Sequence, residues 1–188
     1  MDALLTSFVA AALGEWGDKT QLLVIALAAR YRRPWPILAG IFAAALANSA
    51  IAAFGGTLVH GMITLRAISL LVALALVFAG VAGLIRPKPY ESAGTSRAGP
   101  FLVAAASFFV LEFGDKTQFL TFALSAQFNA FALAAAGATA GVMASSLPAA
   151  LLGDRLARAA PLKAIRIGLG ILFLLVGLIV GVNALRLV

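Results

Sequence analysis

Two heptapeptides concentrate the chemistry of this chain. E-W-G-D-K-T-Q at residues 15–21 and E-F-G-D-K-T-Q at residues 112–118 hold four of its seven acidic residues. Each offers two carboxylates (Glu15 and Asp18; Glu112 and Asp115), a lysine (Lys19; Lys116), a hydroxyl (Thr20; Thr117) and an amide (Gln21; Gln118). Such oxygen donors suit hard divalent cations, Ca²⁺, Mg²⁺ or Mn²⁺. Copper and zinc are disfavoured, because the chain has no cysteine, its one histidine (His60) falls at a loop, and Met1, Met62 and Met143 are scattered. Fully ionised, each motif carries a net charge of −1, so the pair sums to −2. One divalent cation or two protons would neutralise it. Competition between cation and protons for the same carboxylates is the minimum requirement for antiport.

On a continuous helix Glu15 and Asp18 share a face, and Glu15 stands four residues before Lys19, the favourable order for an ion pair. Both lysines are expected as counter-charges rather than substrate ligands. Gly17 is the weak point of the turn, where the helix can loosen and free carbonyls or admit a close neighbour. Gln21 and Gln118 suit a polar lining and helix–helix hydrogen bonds equally well. Asn48, Ser49, Ser145 and Ser146 are expected to complete that lining from neighbouring helices, with Pro148 leaving a carbonyl exposed near Ser145. Trp16 and Phe113 are expected to plug or gate the site.

The elements that hold these residues must be membrane helices. The chain of 188 residues is 63% hydrophobic and 11% charged, with a mean hydropathy of +1.06. Soluble domains are about 45–50% apolar and about 25% charged. An all-α integral membrane protein is expected, with six spans at 3–29, 36–58, 64–85, 100–127, 130–152 and 164–185, each near the ~20 residues a crossing needs. The even spacing and alternating strands of a barrel are lacking. The N-terminus has no basic segment of the signal-peptide kind and is expected to enter the first span directly. Midway through a span, an ionised side chain costs about 2.5–3.5 kcal/mol on insertion scales, so the six motif charges must face inward and pair.

Basic residues set the orientation. Ten lie in the loops after the first, third and fifth spans (Arg30, Arg32, Arg33; Arg86, Lys88, Arg97; Arg155, Arg158, Lys163, Arg166), and only Arg66 and Arg186 lie on the other side. This split places the basic loops in the cytoplasm and both termini outside. It also explains the formal charge of +7 without nucleic acid as a partner.

The halves align at an offset of 97 residues: motif on motif, Asn48-Ser49 on Ser145-Ser146, Gly56 on Gly153. Residues 1–85 form one three-helix repeat, 86–99 a cytoplasmic linker rich in Pro, Gly and Ser, and 100–188 the second repeat. With three spans in each, the second copy enters the membrane inverted, a recurrent plan in transporters that places the site at the repeat interface. Small-residue spacings such as Gly177 and Gly181 read as packing seams.

The two motifs resemble the E-x-G-D-K-[ST] signature of the GDT1 family, in two full copies covering essentially the whole chain. The resemblance implies a cation/proton antiporter for Mn²⁺ or Ca²⁺. It implies that Glu15, Asp18, Glu112 and Asp115 form the cation site, supported by Lys19, Thr20, Lys116 and Thr117. For this compact chain, with no targeting extension, it implies Mn²⁺ export across a bacterial inner membrane rather than an organellar role. No resident cofactor is expected, since the cation is cargo. Three other classes compete: an exporter of a small organic solute such as a basic amino acid, a membrane enzyme using a bound metal, and a channel. The first needs a larger pocket, the second lacks a nucleophile constellation, and proton coupling separates the third.

Overall fold

A computed structural model describes residues 1–86 and 98–185, as nine helices among those residues. Most of the expected linker, with Lys88, Arg97 and Arg186, lies outside the described residues. The helices are α1 (Asp2–Glu15), α2 (Lys19–Tyr31), α3 (Pro34–His60), α4 (Leu65–Leu84), α5 (Pro100–Glu112), α6 (Lys116–Phe128), α7 (Phe131–Leu152), α8 (Asp154–Ala159) and α9 (Leu162–Leu185). Local chemistry sets many ends. Pro34 and Pro100 open α3 and α5, where a missing N–H costs nothing. Thr64 caps α4 by accepting from the Ala67 N–H at 3.2 Å. Asn129, with φ of 48°, closes α6 in the left-handed conformation that asparagine tolerates, so the break expected near residues 127–130 is present.

Four helices, α3, α4, α7 and α9, are long and apolar enough to cross a membrane. The expected continuous spans 3–29 and 100–127 are each two helices instead, interrupted within the heptapeptides. Trp16–Gly17–Asp18 and Phe113–Gly114–Asp115 are non-helical. Gly17 has φ of 74° and Gly114 of 76°, a region that side chains with a Cβ disfavour. Flanking residues repeat the same geometry: Trp16 at φ −68°, ψ 124° and Phe113 at −63°, 120°; Asp18 at −87°, 172° and Asp115 at −83°, 173°. Asp18 and Asp115 thereby become the N-cap residues of α2 and α6, and the helical spacing expected to join Glu15 with Asp18 and Lys19 does not exist.

Packing is reciprocal between the halves. α1 lies along α7, α5 and α6 lie along α3, and α4 pairs with α9. Small residues permit the approach: Gly141 of α7 meets Phe8, Ala11 and Ala12 of α1, and Gly40 of α3 meets Phe101, Ala104 and Ala105 of α5. Gly177 meets Leu76 and Val77 of α4, so the expected seam is a helix contact. The main core gathers Leu23, Val24, Ile37, Ile41, Phe108 and Val142 from α2, α3, α5 and α7. Around it many large apolar side chains face outward, including Leu5, Phe42, Phe54, Leu102 and Ile179. Only 22% of the most apolar stretch of α9 is buried. So much exposed hydrocarbon requires lipid as solvent: this is a multi-pass, all-α membrane protein.

Candidate functional site

Each break ends a helix on a glutamate and begins the next on a lysine. Glutamine secures the turn. Gln21 Oε1 accepts from the Gly17 N–H at 2.9 Å, and Gln118 Oε1 accepts from Gly114 N–H at 2.6 Å. Their amide nitrogens then reach the other half: Gln21 Nε2 donates to Ser145 O at 3.2 Å, and Gln118 Nε2 to Asn48 O at 3.4 Å. The glutamines thus replace helix hydrogen bonds that the breaks forfeit, and they tie each break to the partner half's long helix. Helix bridging describes the contacts of both, and Gln118 also lines the cavity at Glu112.

The closest charge pairs run across the halves. Lys116 Nζ binds Asp18 Oδ2 and lies 3.8 Å from Asp115 Oδ2, while Lys19 Nζ lies 3.2 Å from Asp115 Oδ2. The expected Glu15–Lys19 pair is absent because the break moves Lys19 off the face that Glu15 occupies. Both lysines do act as counter-charges, to aspartates.

The glutamates are buried, Glu15 at 1% and Glu112 at 2% exposure, but differ in their partners. Glu15 accepts from two threonines, Thr20 Oγ1 onto Oε2 and Thr117 Oγ1 onto Oε1 at 2.5 Å. Glu112 has no hydrogen-bond partner on either oxygen. It borders a cavity of about 10 Å³, close to the volume one water or ion requires. Asn48, Ser49, Thr117, Gln118 and Thr121 complete its polar wall, and Asn48 Oδ1 is also buried without a partner. Asn48 Nδ2 is held by Phe109 O at 3.2 Å. Ser145 is turned away, its hydroxyl donating to Val142 O at 2.9 Å. Ser146 is buried outside the cavity wall. Among the described residues, no three of Asp, Glu, His and Cys gather closely enough to hold a metal together; of the four expected carboxylates, Asp18 and Asp115 pair with lysines, Glu15 accepts from two threonines and Glu112 stands alone.

Larger cavities reach both breaks. One of about 490 Å³ meets Gly114 and Asp115, and one of about 590 Å³ meets Gly17. Phe113 does not plug the site: it is 58% exposed and packs on Phe109. Trp16 is half-buried beside Lys116 and Arg166, along a second small cavity. Two polar residues escaped the sequence reading. Thr121 stands one helical turn beyond Thr117, a spacing that should have marked it. Arg166, counted with the loop charges, is buried at 7% inside the expected last span, and its guanidinium donates to Ile85 O.

Broken helices with buried charges at their interruption, inside a multi-pass helical protein, define a membrane transporter built to handle ions. The sequence model described as "Divalent cation/proton antiporter GDT1" matches residues 3–90 and 100–187, and the chain belongs to that family. It is a family of transporters, not enzymes. A protein of Vibrio cholerae serotype O1 named "Putative manganese exporter" is 41% identical over 181 residues, covering 95% of this chain and 90% of the relative. No solved structure matches.

Proposed function

We propose that this chain is a secondary transporter that exchanges a divalent cation, Mn²⁺ in the first reading and Ca²⁺ in the second, for protons and exports the cation from the cytoplasm. The observation that carries this reading is Glu112. A buried carboxylate with no donor needs a proton or a cation to offset its charge. Glu112 faces a cavity of single-ion size beside the unpartnered Asn48 Oδ1 and the hydroxyls of Ser49, Thr117 and Thr121. Those donors are all hard oxygens, as Mn²⁺ and Ca²⁺ accept. The family's description and the name of the Vibrio relative favour the same cargo.

In this reading α1–α2 and α5–α6 each complete one broken crossing. That makes six spans in two inverted repeats, residues 1–85 and 100–188 joined by the linker 86–99. The matching break angles and the reciprocal packing support the repeat. The distribution of Lys and Arg supports both termini outside the cytoplasm, in a bacterial inner membrane. Glu15, Asp18, Glu112 and Asp115 supply the exchangeable carboxylates. Lys19 and Lys116 hold the aspartates until cation displaces them. Thr20 and Thr117 cap whichever glutamate is not in use. Here Glu15 is capped and Glu112 is available; the opposite-facing state reverses those roles. A cavity of about 10 Å³ at Glu112 is too small for a basic amino acid, which disfavours the organic-solute reading.

The test is flux in sealed proteoliposomes under an imposed pH gradient, with Mn²⁺ and internal pH followed together. Mn²⁺ should move against the proton flow, and Glu112→Gln should stop both fluxes in protein that remains folded. Mn²⁺ movement without proton movement would mean a channel or uniporter and would overturn the exchange.

A further inference from the structure

Away from the acid cluster, the cavity of about 590 Å³ at Gly17 has a different character. Among the described residues its cationic groups are Arg86, Lys163 and Arg166, and no acidic one lines it. Its remaining wall is apolar: Leu22, Leu84, Leu162 and Ile167. Arg86 and Lys163 are exposed, whereas Arg166 is nearly buried and fixed by its bond to Ile85 O at the end of α4. The N-terminus of α9, a 24-residue helix, begins at the same wall and adds the positive end of its dipole. Membrane orientation explains basic residues at helix ends. It does not explain a nearly buried arginine meeting another arginine and a lysine in a cavity walled by leucine. A cation route has no use for three positive charges.

We propose that this cavity is a seat for an anionic phospholipid, with the headgroup phosphate against Arg86, Lys163 and Arg166 and an acyl chain along Leu22, Leu84 and Ile167. Apolar walls with a cationic rim fit an amphipathic anion better than a free inorganic one. Because Gly17 lines the same cavity, the seated lipid braces the first break from behind. This assignment is independent of which ion is transported.

Trp16, next to Gly17, supplies a probe. The chain has two tryptophans, so Trp35→Phe leaves Trp16 alone. The full chain is placed in phosphatidylcholine nanodiscs doped with either chain-brominated phosphatidylglycerol or chain-brominated phosphatidylcholine at equal mole fraction, and Trp16 quenching is compared. The anionic lipid should quench more. Its apparent affinity should fall about fivefold for each charge removed in Arg86→Gln and Lys163→Gln, the loss expected per basic residue near a membrane surface. Millimolar inorganic phosphate should leave the excess intact. Equal quenching by the two lipids overturns the proposal. So does an excess that survives in the double variant, which would reflect general attraction to a basic protein. Loss of the excess on adding phosphate also overturns it, assigning the cavity to a free anion.

Discussion

At the first break Glu15 accepts from Thr20 and Thr117; at the second Glu112 accepts from neither. The backbone angles at the two breaks agree within 5°, so local conformation does not explain the difference. It lies in side-chain pairing and in surroundings. Lys116 is buried and bonded to Asp18, whereas Lys19, its counterpart, is about a third exposed. Gly17 is packed against Leu162 and Arg166, whereas the space a Cβ would enter at Gly114 is open. A near-duplicated sequence has therefore been given two environments. Larger cavities reach both breaks, but at the first Glu15 is capped and Gly17 is braced by α9, whereas at the second Glu112 borders an ion-sized cavity without a partner. Such an asymmetry is what an exchanger needs if only one of two equivalent carboxylates is to be available at a time.

The lysines give the sharpest way to break the comparison. Lys116→Met strands Asp18 as a buried, uncompensated charge and should cost about 3–5 kcal/mol. Lys19→Met removes a lysine about a third exposed and leaves Lys116 3.8 Å from Asp115, so it should cost less. Chemical denaturation of both variants in detergent measures the gap. Equal losses would mean that the two cross-pairs are interchangeable on the timescale of the measurement.

A smaller difference is expected at the glycines. Gly114→Ala pays only the left-handed conformation, about 1–2 kcal/mol. Gly17→Ala meets that strain and also places a Cβ 2.5 Å from Leu162 O and 2.9 Å from Arg166 Cβ, adding the ~1–3 kcal/mol of an overpacked contact. Melting temperatures of the two variants should therefore rank Gly17→Ala lower. The opposite rank would show that α9 does not brace the first break.

These contrasts also mark how far the sequence could be read. Membrane class, the ends of most helices and the inward placement of Glu15, Asp18, Glu112 and Asp115 followed from apolar run length and the cost of buried charge. Gly17 was legible as a weak point, but not as a complete break. Period and hydropathy report whether a segment is apolar, and they are blind to three residues whose hydrogen bonds are taken over by a glutamine. Cross-pairing of Lys19 with Asp115 and of Lys116 with Asp18 depends on which helices lie side by side, which no local spacing encodes. Arg166 was hidden for a related reason. A basic residue near a helix end looks like an orientation signal until packing shows it buried. Ser145 and Ser146 align with Asn48 and Ser49, yet only Asn48 and Ser49 border the Glu112 cavity. The alignment says which residues correspond; it does not convey that the corresponding residues have different surroundings.

That last distinction leads to the finest test, because it predicts opposite signs from one substitution made twice. In Glu15→Gln an amide oxygen replaces one carboxylate acceptor and an NH₂ donor replaces the other, so one of the two threonine hydroxyls loses its partner. Leaving a buried donor unsatisfied costs about 1–3 kcal/mol. In Glu112→Gln no protein hydrogen bond is lost, and a neutral amide replaces a group whose buried charge needs compensation; stability should hold or rise. Both variants should fail to transport, since each removes a carboxylate that the proposed exchange uses. Denaturation midpoints beside Mn²⁺ flux separate the two effects. If Glu112→Gln lost as much stability as Glu15→Gln, the two glutamates would be equivalent in the ensemble, and the capped and available roles would be averaging faster than the comparison allows.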